Sequence, residues 1–333
     1  MKFKYNRVLV TGGCGFIGSH YIEALLNTFT NVEVINIDLC TYAVSKKNIK
    51  LLDSLPSYEL IKGSICDDSL VKKTLKNFEP DLVVNFAAES HVDNSINDPS
   101  IFLETNVLGT VNLINNLVFS DNKNLKETIF HQISTDEVFG DTDIHSKDLF
   151  NEESPIKPSS PYSASKASAD HMIRSWHRTF SLNYIITNCG NNFGPRQHFE
   201  KLIPTIILNA LKQEKIPIYG NGKNIRDWIY VKDHAETLIN VQNSGLMNDA
   251  FLIGVRNEQS NIKLAKYILN LIYPSKPYEE LIQYVDDRLG HDFRYALDNS
   301  KLEKKLNKKL SNNFEKEIKD TISWYKNNLN WWE

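Results

Sequence analysis

One loop constrains this chain more than any other part of it. Thr11-Gly12-Gly13-Cys14-Gly15-Phe16-Ile17-Gly18 follows the β-branched run 7–11 and leads straight into the amphipathic stretch 16–27. At such a turn glycines allow a tight bend, close approach of backbone to a ligand and contact between helix and sheet. The helix amino terminus adds unpaired N–H groups and the positive end of its dipole. Those are the needs of a bound pyrophosphate, which makes Gly12, Gly15, Phe16, Ile17 and Gly18 candidate contacts. A glycine loop alone is a weak signal. Here a second β-branched run, 31–37, is followed by Asp38, and 38 − 18 = 20 positions separate it from the last glycine of the loop. That is the spacing of an acid that takes the adenosine ribose hydroxyls, and because a carboxylate repels a 2′-phosphate, NAD is expected rather than NADP.

Runs at 58–62, 81–86 and 128–133 continue the pattern, with helical stretches between them. Strand alternating with helix predicts right-handed βαβ crossovers and a parallel sheet covered on both faces. The expected fold class is therefore α/β, a Rossmann doubly wound sheet carrying a smaller C-terminal substrate-binding cap. The expected division is 1–188 for the dinucleotide domain and 189–333 mainly for the cap, with segments returning to the sheet. Past 188 the spacing loosens into loops holding Gly194-Pro195, Gly220-Asn221-Gly222 and Pro274, between helical stretches at 202–212, 231–243 and 261–272.

Two longer helices are predicted at 99–120 and 161–180. In the first, Leu103, Val107, Val111, Ile114 and Val118 recur every three or four residues and read as the stripe that packs on the sheet. Leu113 and Leu117 then point elsewhere. The Lys-rich segment 301–309, with Leu302, Leu306 and Leu310 at helical spacing, reads as a solvated helix face.

Near these motifs, Asp67 would either approach the adenine or cap the helix that follows it, and both readings stand. Ala87 and Ala88, at the end of the fourth run, would line the pyrophosphate and ribose. Composition narrows the partners. A formal net charge of −3 with both signs spread along the chain gives no footprint for nucleic acid or an anionic membrane. No apolar run reaches the roughly 18 residues of a membrane span, and the charged start at 1–7 leaves no room for a signal peptide. Cys14, Cys40, Cys66 and Cys189 form no C-x-x-C pair, so free thiols, no metal site and a cytoplasmic setting are expected.

The chemistry is carried by Tyr162-Ser163-Ala164-Ser165-Lys166. On a helix, residues four apart share a face. A tyrosine, with an ordinary pKa of about 10, becomes a usable base when a neighbouring ammonium and a positive nicotinamide favour its phenolate. His171 and His177 on the same stretch read as packing or solvent residues.

The glycine loop, Ser134-Thr135 and the Tyr162/Lys166 pair together resemble the extended short-chain dehydrogenase/reductases. Ala87-Ala88-Glu89-Ser90-His91-Val92-Asp93, Ser134-Thr135-Asp136-Glu137-Val138, Glu200-Lys201-Leu202-Ile203-Pro204, Arg226-Asp227-Trp228 and Asp287-Arg288-Leu289-Gly290-His291-Asp292 are similar to the dTDP-glucose 4,6-dehydratases, from Val8 to about Trp324. The resemblance implies a tightly bound NAD regenerated at every turnover. It also implies a nucleoside-diphosphate glucose substrate, a place in deoxysugar or rhamnose synthesis, and a homodimer formed by 99–120 and 161–180 as a four-helix bundle. Thr135, Asp136, Glu137, Tyr162 and Lys166 would be catalytic. Tyr162, Lys166 and Asn192 would also touch the cofactor. Ser90, Thr135, Asn191, Lys201, Leu202, Arg226, Asn261, Arg288 and His291 would touch the substrate, with Arg226 and Arg288 suited to bidentate diphosphate contacts.

Asp136-Glu137 is the pair that separates a dehydratase from a 4-epimerase. Once C4 of the sugar is a ketone, the C5 proton is acidic and the C6 hydroxyl can leave as water, which needs one base and one acid. By resemblance Glu137 is that base and Asp136 that acid. The chain departs from the bacterial pattern at Asn94, Phe139, Gly190 and Leu289. Asn94, Gly190-Asn191-Asn192 and Trp331-Trp332 look more like eukaryotic UDP-glucose 4,6-dehydratases, which leaves dTDP and UDP both open. The rivals are a 4-epimerase and, in another class, a non-catalytic NAD-sensing or RNA-associated Rossmann protein, which would commonly lack the tyrosine and lysine present here.

Overall fold

A computed structural model describes residues 2–142, 146–275 and 277–332. Its strands are β1 (Arg7–Thr11), β2 (Glu33–Asp38), β3 (Tyr58–Lys62), β4 (Leu82–Asn85), β5 (Ile129–Thr135), β6 (Tyr184–Cys189), β7 (Asn191–Phe193), β8 (Ile216–Tyr219), β9 (Ile225–Tyr230), β10 (Asp249–Ile253), β11 (Glu258–Ser260) and β12 (Ile282–Val285). Seven of them form one sheet in the order β10-β6-β5-β4-β1-β2-β3, every neighbouring pair parallel. This is the doubly wound Rossmann arrangement, extended by β10. β4 and β5 are buried along their whole length because helices cover both faces of the sheet. The chain reverses its winding between β1 and β4, and a ligand crevice is expected beyond the carboxyl ends of those strands.

The first helix spans Phe16–Thr28, beginning where the glycine loop ends. The predicted helices at 161–180, 202–212, 231–243 and 261–272 are present with those bounds. Ser160 caps Pro161–Phe180 through a reciprocal bond with Ser163, and Pro161 stands in the first turn, where a missing N–H costs nothing. β11-β9-β7 and β12-β8 form two small sheets, and Phe193, Ile207, Leu264 and Ile268 close a separate apolar core beneath them. Leu238, Phe251 and Leu302 instead join Tyr21, Ile22 and Leu25 in a core of the main sheet. The segment 301–309 therefore overlaps a helix, Ser300–Leu306, anchored by Leu302, with Leu306 and Leu310 packed against the same core.

One expectation is overturned. The stretch 99–120 is not one α-helix but Pro99–Phe102, a π-helical segment Leu103–Gly109, and Thr110–Val118. Bonds from i to i+5 take up an extra residue and rotate the face that follows. The sheet side of this stretch is accordingly Phe102, Asn106, Gly109, Leu113, Ile114 and Leu117, all buried. Leu103 is 52% exposed and Leu108 61%. Leu113 and Leu117, expected to turn away, are fully buried against Val83, Phe130 and Ile173.

Candidate active site

A cavity of about 360 Å³ opens at the carboxyl ends of the strands and runs from the glycine loop to Tyr162 and Lys201. Gly12 holds a left-handed φ of +68°, and a Cβ there would stand 2.6 Å from the Ala87 main chain, so the loop lies hard against the end of β4. A Cβ on Gly15 would meet only the Gly12 carbonyl oxygen, at 3.3 Å, which leaves its cavity side open to an approaching ligand. Asn36 accepts the Gly13 N–H and Asn48 donates to the Cys14 carbonyl, fixing the loop from both sides. Asp38 ends β2 at the cavity wall and accepts the backbone N–H of Cys14 at 2.8 Å and of Cys40 at 2.7 Å. Burial raises its carboxyl, and those two N–H groups oppose the rise. The open backbone, helix terminus and oriented carboxylate fit the diphosphate and ribose of a dinucleotide.

Gly12, Gly15, Phe16, Ile17, Gly18, Asp38, Ala87, Ala88, Lys166 and Asn192 all line this cavity. Asp67 does not. It caps the helix Asp68–Phe78 by accepting the Leu70 N–H, while Gly63, Ser64 and Ile65 take the wall position. The amide of Asn192 is bonded to His234 and to the Gly190 carbonyl, so its side chain braces the wall from within.

Thr135 closes β5 and caps the short 3-10 turn Asp136–Phe139 through the Glu137 N–H, which fixes both acids at the strand end. Asp136 is 2% exposed, and its Oδ2 has no hydrogen-bond partner. Burial first, then Glu137, pushes its carboxyl well above the ordinary range. Burial also raises half-buried Glu137, but Arg288 and Arg226 pull it back. Gly190 lies close beside the acid: a Cβ there would stand 3.0 Å from the Asp227 carbonyl oxygen and 3.7 Å from Asp136 Oδ2.

Tyr162 lies at the cavity wall, its phenol raised well above 10 by burial and then by Glu137, Cys189 and Asp136. The expected ammonium partner is engaged elsewhere: Lys166 Nζ donates to the Ile133 carbonyl at 2.7 Å. Sequence reasoning missed Asp170, one further helical turn along from Lys166. Buried and bonded to Ser134 Oγ and Asn188, it favours the lysine's charge against burial, which lowers Lys166. The repeated four-residue spacing was the signal for it. It also missed Glu200 at the wall, whose carboxyl burial raises but His198, Lys201 and His91 hold below its ordinary value.

Of the substrate candidates, Ser90, Thr135, Asn191 and Lys201 line the cavity, and Lys201 Nζ donates to the Ser90 carbonyl. Leu202, Arg226, Asn261, Arg288 and His291 stand outside that lining. Arg226 departs most from expectation. Its guanidinium donates to the carbonyls of Ile225, Phe293 and Asp292 and stacks 4.2 Å over Tyr295, so three of its five N–H groups are already engaged with backbone. Arg288 Nε, Asn191 Oδ1 and Asn261 Oδ1 are buried without partners. His291 is bonded to Asp287 at 2.5 Å, and burial, then Arg288, lowers it to about 4.

Among the described residues, the ligand atoms of Cys14, Asp38 and Cys40 all lie within 4.8 Å of one another, close enough to hold a metal ion.

Residues 9–321 match the family described as GDP-mannose 4,6 dehydratase. The dTDP-glucose 4,6-dehydratase of Escherichia coli is 44% identical to this chain, over 98% of it and 95% of the relative. The crystal structure of the dTDP-glucose 4,6-dehydratase of Streptomyces venezuelae with NAD bound superposes with a TM-score of 0.90 at 40% identity, covering 98% of this chain and 99% of that one. The Bacillus anthracis dTDP-glucose 4,6-dehydratase, solved in complex with NAD, gives 0.88 at 36% identity and 98% of both chains. From loop to cap, the chain belongs to the GDP-mannose 4,6 dehydratase family of extended short-chain dehydrogenase/reductases.

Proposed function

We propose that the protein is a hydro-lyase that converts dTDP-glucose to its 4-keto-6-deoxy derivative and water. The observation that carries the reading is the paired acid at the end of β5: a buried, unpartnered Asp136 whose carboxyl burial pushes well above the ordinary range, beside a Glu137 held nearer to ionisation by two arginines. An elimination needs that inequality, and a 4-epimerase needs neither group. Thr135 holds the sugar 4-hydroxyl and Tyr162 takes its proton. Glu137 then removes the C5 proton and Asp136 protonates the departing C6 hydroxyl. Gly12, Gly15 to Gly18, Asp38, Ala87, Ala88 and Lys166 would hold NAD, which supplies the hydride acceptor, the hydride donor and the positive charge that Tyr162 lacks. Asp170 opposes the burial that lowers Lys166 and so favours its charged form. Ser90, Asn191 and Lys201 would face the nucleotide sugar, and Arg288, outside the lining but with its Nε unpartnered, is the cation suited to its diphosphate.

The dTDP reading follows the 44%-identical relative. Asn94 and Gly190 favour UDP-glucose as a second substrate. Incubating the purified protein with each nucleotide sugar and looking for the 4-keto-6-deoxy product decides between them, and a 4-epimer alone would sink the dehydratase reading.

The division into residues 1–188 for the dinucleotide and 189–333 mainly for the cap is supported by the separate apolar core of the second part. No described helix is long and apolar enough to cross a membrane, and four free thiols suit a reducing compartment such as the cytoplasm. Pairing of two copies is supported by Leu103, Leu108 and Phe119 on one helix stretch and Met172 and Phe180 on its neighbour, all more than a third exposed. Light scattering at micromolar concentration should give twice the chain mass of 38.3 kDa.

A further inference from the structure

We infer that Cys14, Asp38 and Cys40 form a binding site for a thiophilic divalent cation of the zinc and cadmium class, set behind Asp38, the one member of the three that lines the dinucleotide site. The three residues belong to two segments, 14 in the glycine loop and 38–40 at the end of β2, brought together by the parallel pairing of β1 with β2. Their ligand atoms already lie within 4.8 Å of one another. A tetrahedral ion with metal–sulfur bonds of about 2.3 Å needs its sulfurs roughly 3.8 Å apart, so closing the site takes a shift of about an ångström.

The surroundings hold the ligands in place. The N–H groups of both cysteines grip the two oxygens of Asp38, which leaves each oxygen a second lone pair for an ion. Cys40 has a left-handed φ of 54°, the backbone turn that brings its N–H back to the carboxylate. Cys14 Sγ accepts a bond from Asn36 Nδ2 at 3.3 Å and lies 3.8 Å from the Tyr58 hydroxyl, partners that orient a metal-bound thiolate from outside. Two sulfurs and one carboxylate select a soft or borderline d10 ion over magnesium or calcium. The thiols of Cys14 and Cys40 are both pushed up by burial and then by Asp38, so neither ionises unaided, but a divalent cation reverses that field and displaces both thiol protons into solvent. Three protein ligands leave one tetrahedral position for water.

The same Asp38 carboxylate is the group assigned to the adenosine ribose, so, resting on that reading, ion and dinucleotide compete. The test is a titration of the full-length protein with Cd²⁺ in a phosphine reductant, following the ultraviolet thiolate-to-cadmium charge-transfer band and the dinucleotide released into the filtrate. The band should saturate at one ion per chain. Cys40→Ser, at a half-exposed turn that tolerates the change, should cut it to about half and weaken binding roughly tenfold or more, and Cys14→Ala should do the same. Cys66→Ser should leave it intact. A band that survives Cys40→Ser and Cys14→Ala, or no saturable band, overturns the site. A full band with the dinucleotide still bound upholds the site and instead removes Asp38 from the ribose.

Discussion

The two sides of the cavity use their polar groups differently. On the sheet wall, the backbone of β5 is already bonded to β4 and β6, and the side chains at its end are left with unfilled capacity: Asp136 Oδ2 has no partner. On the cap side, behind the residues that line the cavity, short sheets and long loops leave backbone carbonyls to be bonded by side chains. Arg226 ties together Ile225, Asp292 and Phe293, and Asn224 donates to the Asp292 carbonyl as well. A regular strand end can afford a free acid, whereas an irregular loop consumes its arginine as mortar. Arg288 and Asn261 are cap residues that keep one open atom each.

The sharpest test of the sheet wall is chemical. Tyr162→Phe removes the first base and should slow turnover by ~10²- to 10⁴-fold with little reduced cofactor formed. Glu137→Gln should fail later, so that reduced dinucleotide accumulates on mixing with substrate, seen by its absorbance, while exchange of the C5 hydrogen with solvent deuterium stops. Parent-rate product formation by Glu137→Gln would remove the elimination base from the scheme.

Arg226→Ala tests the cap side, where the loss should be structural. Three carbonyls, two of them only part-buried and each still bonded by another donor, lose a charged partner, and stability should fall by about 2 kcal/mol in denaturant unfolding. A raised KM on an equally stable protein would instead put Arg226 on the substrate and erase the contrast.

A smaller effect concerns Asp136. Its folded pKa is raised by burial and Glu137. The folded form therefore holds the proton more tightly than the unfolded chain does. That contribution is complete below the unfolded value near 3.9 and disappears as pH rises through the raised one. Turnover should fall along the same alkaline limb, and Asp136→Asn should flatten the pH dependence of unfolding while abolishing elimination. An unchanged unfolding profile would mean that the acid is not held protonated.

Much of this was legible in the sequence because it was local. The glycine loop, the twenty-residue step to Asp38 and the strand-end pair Asp136-Glu137 each carry their geometry in a few residues, and parallel strands place them at one edge. Other features were hidden by distance or by phase. Cys14 and Cys40 meet only through the pairing of β1 with β2, so their spacing gave no warning of a ligand set. The π segment displaced the apolar phase of 99–120, which exchanged the roles of Leu103 and Leu113. For Asp67 the local reading sufficed, and of two open alternatives the helix cap is the one formed. No pattern in the sequence could tell Arg226 from Arg288, because which carbonyls need a donor is decided by loops folded elsewhere.

Gly190 carries one more consequence, for anyone selecting variants of this protein by thermal survival. A serine there would crowd the Asp227 carbonyl oxygen, 3.0 Å from its Cβ, whereas a hydroxyl or amide brought to Asp136 Oδ2 from another neighbour would give that oxygen the partner it lacks, yet favour the ionised acid and weaken proton delivery. Selection for heat resistance alone should therefore favour new donors to Asp136 Oδ2 that leave Gly190 in place, and with them a sturdier, slower catalyst.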